Sequence, residues 1–192
     1  MRPVYVCLLH SPMVDRNGLE VITAVTNIDI HDIARTCRTY GIKNYYIVNP
    51  EDEQERVVAS ILEHWRLEVS KNYHPARAQA LELIKYTRTF QEAYNEIASL
   101  CEGRKPFVVM PDAKPLEGAW SYKKLREWLP QGDEPLIIVF GTGWGIAPSF
   151  YPQVDQFLSP IQISSEFFSG SRYNHLSVRA AAAIVLDRLF GE

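Results

Sequence analysis

The stretch Pro135–Ile146, PLIIVFGTGWGI, decides the fold, because it joins a buried strand to a glycine-rich loop. Leu136–Phe140 is an unbroken apolar run bounded by Pro135 and Gly141, which is typical of a short strand buried on both faces of a parallel sheet. The loop that follows has glycine at alternate positions, so its backbone can adopt positive φ and come close to a ligand. In an open α/β sheet, ligands bind at loops that leave the carboxyl ends of strands. We therefore expect a binding site at this loop, although a tight turn would also account for a single glycine.

Strands and helices alternate on both sides of this stretch, which predicts one α/β domain over residues 1–192, with a parallel-type sheet flanked by helices. The predicted strands are Val4–Leu9, Leu19–Thr26, Tyr45–Val48, Leu83–Thr87, Pro106–Met110 and Leu136–Phe140, with a short extended piece in Leu158–Ile163. The predicted helices begin at Asn27 or Asp29, Glu51, Phe90, Ser121 and, for the last one, Asn174 or Ser177, and Ala76–Leu81 is predicted to be a short helix or a turn. The segment Pro148–Phe157 is predicted to be irregular.

Composition narrows the class of protein. A hydrophobic content of 46% and a charged content of 22% are those of a globular domain. The formal charge of −3 argues against a uniformly basic nucleic-acid binder, but it leaves room for a local basic patch. Cys7, Cys37 and Cys101 are odd in number and widely spaced, so we expect buried thiols in a reducing cytoplasm. The first residues indicate a strand and not a signal peptide, and no apolar run approaches transmembrane length.

Several common catalytic motifs are missing from the sequence. No GxGxxG opens a helix after the first strand, and there is no P-loop, no GxSxG elbow and no His- or Cys-rich spacing for a metal. Dehydrogenases, P-loop NTPases, α/β-hydrolases and most metalloenzymes are therefore disfavoured, and no metal is expected. Three loops near predicted strand ends remain as the candidate site: Met110–Lys114, Gly141–Ile146 and Ile161–Ser177.

Four segments in a fixed order resemble a known family. Leu136–Ile146 and Tyr173–Arg179, YNHLSVR, are similar to two signature segments of the SPOUT, or α/β-knot, RNA methyltransferases. Arg35–Ile42, RTCRTYGI, is similar to the first motif of that family, in which a helix carries an arginine and ends at a hydrophobic-Gly pair. With the strand end Met110–Asp112, the resemblance spans nearly the whole chain.

The resemblance implies a fold, a cofactor and a set of partners. It implies a deep C-terminal trefoil knot, which is rare among proteins, S-adenosylmethionine as the cofactor, and a homodimer that methylates a nucleotide of tRNA or rRNA. It implies Arg35 and Asn174 as catalytic residues. It places the cofactor against Met110, Pro111, Asp112, Phe140, Gly141, Thr142, Gly143, Gly145, Ile161, Ile163, Asn174, His175, Leu176 and Ser177.

Two departures from the family pattern keep other functions open. SpoU-type members have a glutamate in the glycine loop where this chain has Gly143 and Trp144, and their asparagine lies closer to the following serine. One alternative is a non-catalytic nucleoside- or RNA-binding module that retains the cofactor pocket. A second alternative is an adenine-nucleotide-binding α/β protein without a knot.

Individual side chains have competing interpretations. Arg35 can hold an RNA phosphate by bidentate contact or be a solvent-exposed helix arginine. Asn174 can act in the pocket or cap the last helix, and His175 can be a base or a hydrogen-bonding residue. Trp144 can stack on a base or pack against a dimer partner. The aromatic residues expected at that interface are Trp144, Phe150, Tyr151, Phe167 and Phe168.

Overall fold

Six parallel strands form the central sheet of the protein. The computed structural model describes residues 2–162 and 174–192. In chain order its strands are β1 (Val4–Leu9), β2 (Met13–Val14), β3 (Glu20–Val21), β4 (Tyr45–Val48), β5 (Ile84–Thr87), β6 (Phe107–Pro111), β7 (Leu136–Gly141) and β8 (Gln156–Leu158). The sheet order is β5-β4-β1-β7-β6-β8 with every pairing parallel, while β2 and β3 pair with each other as an antiparallel hairpin, and Met13 of β2 also forms an isolated bridge with Ile146. The predicted α/β class with a parallel-type sheet is confirmed.

Seven α-helices flank the described sheet. They are α1 (Asn27–Thr39), α2 (Asp52–Arg66), α3 (Glu68–Tyr73), α4 (Pro75–Leu81), α5 (Phe90–Leu100), α6 (Tyr122–Trp128) and α7 (Val178–Phe190). Short 3-10 helices follow at Leu129–Gln131 and Pro148–Gln153. Helix α1 packs between α4 and α7. None of the helices in the described ranges has both the length and the apolar character needed to cross a membrane.

Alternating side chains of each strand build two hydrophobic cores. On β1, Val6 and Leu8 pack with α1 and α7 on one face, whereas Cys7 and Leu9 pack with α5 on the other. A strand with both faces covered by helices must be apolar at every position, and this explains the unbroken run of β7. All five residues from Leu136 to Phe140 are buried.

Some predicted elements differ in the structure. Only Glu20 and Val21 of the predicted strand Leu19–Thr26 are extended, because the segment bends back so that Thr23 N donates to His10 O. The last strand begins at Gln156, earlier than predicted, since Asp155 N already donates to Val108 O. The segment before it, predicted as irregular, is the 3-10 helix named above. Helix α3 was not predicted because its six residues contain no apolar stripe, and its Val69 is largely exposed to solvent.

The observed N-caps decide between the candidates that the sequence offered: both candidates for α1 are wrong, and one of the two candidates for α7 is confirmed. Thr26, and neither Asn27 nor Asp29, caps α1, since the Asp29 N–H donates to Thr26 Oγ1. Ser177 caps α7 by accepting from Ala180 N.

The path of the chain between residues 162 and 174 lies outside the described ranges. The trefoil knot implied by the resemblance depends on that path, so the knot stays a prediction. The predicted site residue Ile163 and the aromatic residues Phe167 and Phe168 also lie outside the described residues.

Candidate active site

The carboxyl ends of three adjacent strands bring the predicted site loops together. In the sheet β6 lies between β7 and β8, and all three run in the same direction. Pro111 at the end of β6 is paired with Leu158 at the end of β8. The segments that follow start at Asp112, Thr142 and Ser159. They therefore leave the sheet on the same side, which we call the carboxyl edge because the carboxyl ends of the strands form it. This edge is the place where open parallel sheets bind ligands.

The glycine loop needs its glycines for two different reasons. Gly143 and Gly145 have φ of +59° and +113°, a region that residues with a Cβ rarely adopt. Gly141 has no positive φ, but a Cβ there would lie 2.4 Å from Cγ1 of Ile146. The loop therefore folds over Gly141 and is turned by the other two glycines. A Cβ on Gly145 would meet no atom of residues 2–162 or 174–192 within 4 Å, so the described part of the chain leaves the space beside Gly145 open.

The hairpin of β2 and β3 holds the glycine loop from one side. Val14 N donates to Gly145 O at 2.9 Å, and Trp144 N donates to Val14 O at 3.3 Å. Met13 is completely buried, and its Sδ accepts from Thr142 N at 3.2 Å. These bonds fix the loop backbone in one conformation, which is the condition for binding a ligand through backbone groups.

A partly buried chain of polar side chains connects the glycine loop to the end of β1. Thr142 Oγ1 lies 2.5 Å from Thr23 Oγ1, which in turn lies 3.1 Å from Nδ1 of His10. His10 is fully buried, and burial lowers its pKa from 6.5 to about 4, so its imidazole is neutral at physiological pH. Sequence reasoning missed His10 and Thr23. Because His10 directly follows a strand predicted to be buried, the rule that sites lie at the carboxyl edge would have included it.

The loop after β6 contacts the segment that precedes α7. Asp112 accepts from Lys114 N at 2.7 Å through Oδ1, which makes a tight turn, and Nδ2 of Asn174 donates to Ala113 O at 3.2 Å. Asn174 therefore lies at the carboxyl edge. Met110 is buried in the core, so only its backbone can face a ligand. The same holds for Phe140 on β7.

The remaining predicted residues flank these loops. Pro111 and Ile161 are partly buried, whereas His175, Leu176 and Ser177 are exposed just before α7. The hydroxyl of Ser177 accepts the N-cap hydrogen bond of α7, so the backbone groups of Ser177 are the ones that remain for contact with a ligand.

Arg35 is not brought to the glycine loop. It is exposed in the middle of α1, one turn after Asp32. The guanidinium that does reach the start of α1 is Arg179 of α7, with its Nη1 3.4 Å from the Asp29 carboxylate and its Nε 3.7 Å from that of Asp32. Within the described residues no carboxylate lies within ion-pair distance of Arg35, so its charge faces solvent.

The residues at this edge fit an adenosyl group. The open space beside Gly145 admits a ligand, and the loop offers backbone groups and a threonine hydroxyl instead of charges. Ile161 and Leu176 add apolar surface, as an uncharged purine nucleoside requires. Among the described residues no group of three His, Cys, Asp or Glu side chains could hold a metal ion.

One predicted interface residue belongs to the core. Phe150 is 1% exposed and packs edge-to-face on Phe90, so it cannot contact a partner. Tyr151 packs on Phe157 within the same chain. Trp144 is 63% exposed on the glycine loop and remains available for an interface.

Comparison with known proteins gives a family match over nearly the whole chain. The family model described as SAM-dependent RNA methyltransferase matches residues 3–191. An uncharacterised protein of Aquifex aeolicus is 38% identical over 97% of this chain and 88% of its own length. A Nitratidesulfovibrio vulgaris protein named tRNA (guanine-N(1)-)-methyltransferase is 39% identical over 100% of this chain. The chain spans only 43% of the length of that named relative.

A solved structure agrees with this assignment at the level of the fold. The A. aeolicus TrmH/SpoU tRNA modifying enzyme superposes with a TM-score of 0.59 at 11% identity, over 98% of this chain and 74% of that one. The family model confirms the predicted RNA methyltransferase family and S-adenosylmethionine as its cofactor, and the solved structure agrees with the SPOUT-type fold inferred from the four motifs. The chain belongs to the SAM-dependent RNA methyltransferase family.

Proposed function

We propose that this chain methylates a nucleotide of tRNA or rRNA with S-adenosylmethionine, as a cytoplasmic homodimer. Residues 1–192 would form one α/β-knot domain, with the knot closing around the cofactor. The observation that carries the proposal is the convergence of the loops after β6, β7 and β8, together with Asn174, at one edge of the sheet. Together with the family match, this gives the cofactor a site that the fold itself organises.

The loop backbone is the main proposed cofactor contact. The backbone of Thr142–Gly145 and of Met110–Asp112 would bind the adenosyl group, and Ile161 and Leu176 would cover it. When bound, S-adenosylmethionine supplies a methyl group on a positively charged sulfur, and a nucleophilic atom of the target nucleotide displaces the thioether in line. The chain's own contribution is to hold the two reactants in that alignment and to exclude water.

Arg35 is the proposed contact to the RNA at the reacting nucleotide. Its guanidinium is exposed, and among the described residues it has no competing carboxylate, so it is available for bidentate binding of a phosphate. Since it lies on α1 and not on the glycine loop, we propose that it serves the site of the partner subunit. Asn174 would orient the target nucleotide from the start of α7.

The RNA class is supported by the named relative, but the target atom is not. More than half of that relative lies outside the match, so the guanine-N(1) specificity in its name can belong to the other part. The target must therefore be found directly.

The experiment compares modified nucleosides by mass spectrometry in tRNA and rRNA from cells with and without the gene. We expect one methylated nucleoside to be missing without the gene and restored by the wild-type gene. Identical nucleoside profiles, with cofactor binding intact in the purified protein, would instead establish the non-catalytic binding module.

A further inference from the structure

A second cleft lies between α1, α2 and α4, away from the glycine loop. Its volume is about 620 Å³. The polar and aromatic side chains that line it include His31, Asp32, Ser60, His64, Trp65 and Arg77. Two imidazoles, an indole and a guanidinium in one cleft form a set that the packing of three helices does not require.

Trp65 is the centre of this cleft. The guanidinium carbon of Arg77 lies 5.2 Å from the centre of a Trp65 ring, within the range of a cation–π contact. The rings of His31 and His64 each approach Trp65 edge-on at 5.7 Å. A partly buried indole beside a guanidinium is an arrangement on which proteins stack a nucleobase.

Two buried polar atoms of the cleft have no hydrogen-bond partner within the described residues. They are Nδ1 of His31 and Nε of Arg77. Both nitrogen atoms are therefore available for a hydrogen bond to a polar ligand in the cleft. A guanidinium selects a phosphate or carboxylate oxygen.

The cleft is continuous with the face of α1 that carries Arg35. Ile28, His31 and Arg35 are spaced three and four residues apart and therefore lie along one side of the helix. The charges of Arg77 and Arg35 both help to lower the pKa of His31, after the larger effect of burial, so Arg35 is close enough to act on the cleft. Asp32 lines the cleft and also contacts Arg179 at the start of α7.

We propose that the cleft binds a nucleotide of the RNA substrate other than the one that is methylated, with its base on Trp65 and its phosphate at Arg77. This inference rests on the proposed function, because it assumes that RNA passes over Arg35. The cleft would thus choose RNA that presents an unpaired nucleotide at a fixed distance from the target.

The test measures the affinity for labelled total tRNA from cells lacking the gene, or for their total rRNA if the wild type binds only rRNA, by fluorescence anisotropy at several salt concentrations. Arg77→Gln should weaken binding about tenfold and reduce the slope of log K against log salt by about one, since one phosphate contact is lost. Trp65→Leu should weaken binding by a similar factor with an unchanged slope, because stacking releases no counterion. Arg56→Gln, an equal loss of charge at an exposed position of α2 outside the cleft, is the control and should change affinity less than twofold.

Binding of S-adenosylhomocysteine should be the same in all three variants, which shows that each is folded. Equal RNA affinity and equal salt slopes for Arg77→Gln, Trp65→Leu and Arg56→Gln would overturn the cleft proposal and leave RNA binding intact. Failure of the wild-type protein to bind tRNA or rRNA while it binds S-adenosylhomocysteine would overturn the proposed function and the cleft proposal together.

Discussion

Thr142 Oγ1 lies 2.5 Å from Thr23 Oγ1, and this contact joins the glycine loop to the segment that leads into α1. Thr142 Oγ1 also donates to Leu9 O at 3.3 Å, so one hydroxyl connects β7, β1 and the approach to α1. The proposed cofactor loop and the segment that leads into the helix carrying Arg35 are thereby joined by partly buried hydrogen bonds. A change in the position of the loop is therefore expected to change the position of the start of α1, and the reverse.

Removing the Thr142 hydroxyl should loosen the glycine loop. Thr142→Val preserves shape but loses the contacts to Thr23 and Leu9, at about 1 kcal/mol for each hydrogen bond. We expect the affinity for S-adenosylhomocysteine, measured by calorimetry, to fall about tenfold. Thr39→Val is the matched control, because Thr39 also donates to a backbone oxygen, that of Arg35, but lies at the far end of α1. Equal affinity in the two variants would show that the hydroxyl does not support the site.

His10 should make stability depend on pH. Its pKa is lowered from 6.5 to about 4 by burial, so the unfolded chain binds the proton more readily than the folded one between these values. Stability therefore rises with pH through this window, is fully present above about pH 6.5, and is lost as pH falls towards 4. The loss amounts to about 3 kcal/mol at about 1.4 kcal/mol per pH unit.

Urea unfolding of the wild type and His10→Asn at pH 7 and pH 4.5 checks this effect. The asparagine can retain the bond to Thr23 but does not titrate, so its stability should fall less between the two pH values. An equal loss in the wild type and in His10→Asn would mean that His10 is not buried in its neutral form.

Arg35→Ala should separate binding from catalysis. Because Arg35 is exposed and lies on α1, outside the glycine loop, the variant should keep the fold, the oligomeric mass and the cofactor affinity of the wild type. Methyl transfer to RNA should fall about 100-fold or more, the scale of a lost positioning contact. Arg38→Ala, at an exposed arginine on the same helix, should retain activity within about threefold. If Arg35→Ala transferred methyl groups at the wild-type rate, Arg35 would be a solvent-exposed charge with no role in catalysis.

Mixed subunits test whether Arg35 acts across a dimer. In a heterodimer of an Arg35→Ala chain and a Gly145→Val chain, one site combines an unmutated glycine loop with an unmutated arginine if Arg35 serves the site of the partner subunit. Heterodimers should then regain part of the wild-type activity, whereas action within one chain leaves both sites defective. Absence of any recovery in purified heterodimers would contradict the assignment to the partner's site.

The exposed Trp144 should lie at the dimer interface. An indole that is 63% exposed on a rigid loop is an unusual surface residue, and aromatic side chains are enriched at interface cores. Light scattering at micromolar concentration should give about twice the monomer mass of 22.0 kDa. Trp144→Glu should shift the protein towards the monomer, whereas Tyr73→Glu, at an 85% exposed aromatic on α3, should not. A monomeric wild type would refute the homodimer.

The parallel sheet was predictable because burial on both faces leaves a local trace in the sequence. Unbroken apolar runs such as Val4–Leu9 and Leu136–Phe140 coincide with β1 and β7 to within one residue. Helix ends marked by glycine, such as Gly41 with its φ of +71°, were equally readable.

Contacts between segments that lie far apart in the sequence could not be predicted in this way. The bond between Thr23 and Thr142 spans 119 positions in the chain, and no local pattern marks either threonine as a partner. The same is true of the hairpin Met13–Val21, whose strands are two residues long and take their conformation from the glycine loop that they contact. Phe150 was misassigned because an aromatic side chain in an irregular segment has the same local sequence whether it faces the core or a partner.

The binding of S-adenosylhomocysteine to glycine-loop variants tests the central claim most directly. Isothermal titration of the wild type should give one site per chain. Gly145→Val forces a β-branched side chain into a φ of +113° at the open side of the loop and should show no heat of binding. Gly103→Val places the same side chain at a φ of +80°, also with no atom within 4 Å, between α5 and β6 at the opposite edge of the sheet, and should bind as the wild type does. Equal affinity of Gly145→Val and Gly103→Val, or no binding by the wild type at millimolar ligand, would contradict the account.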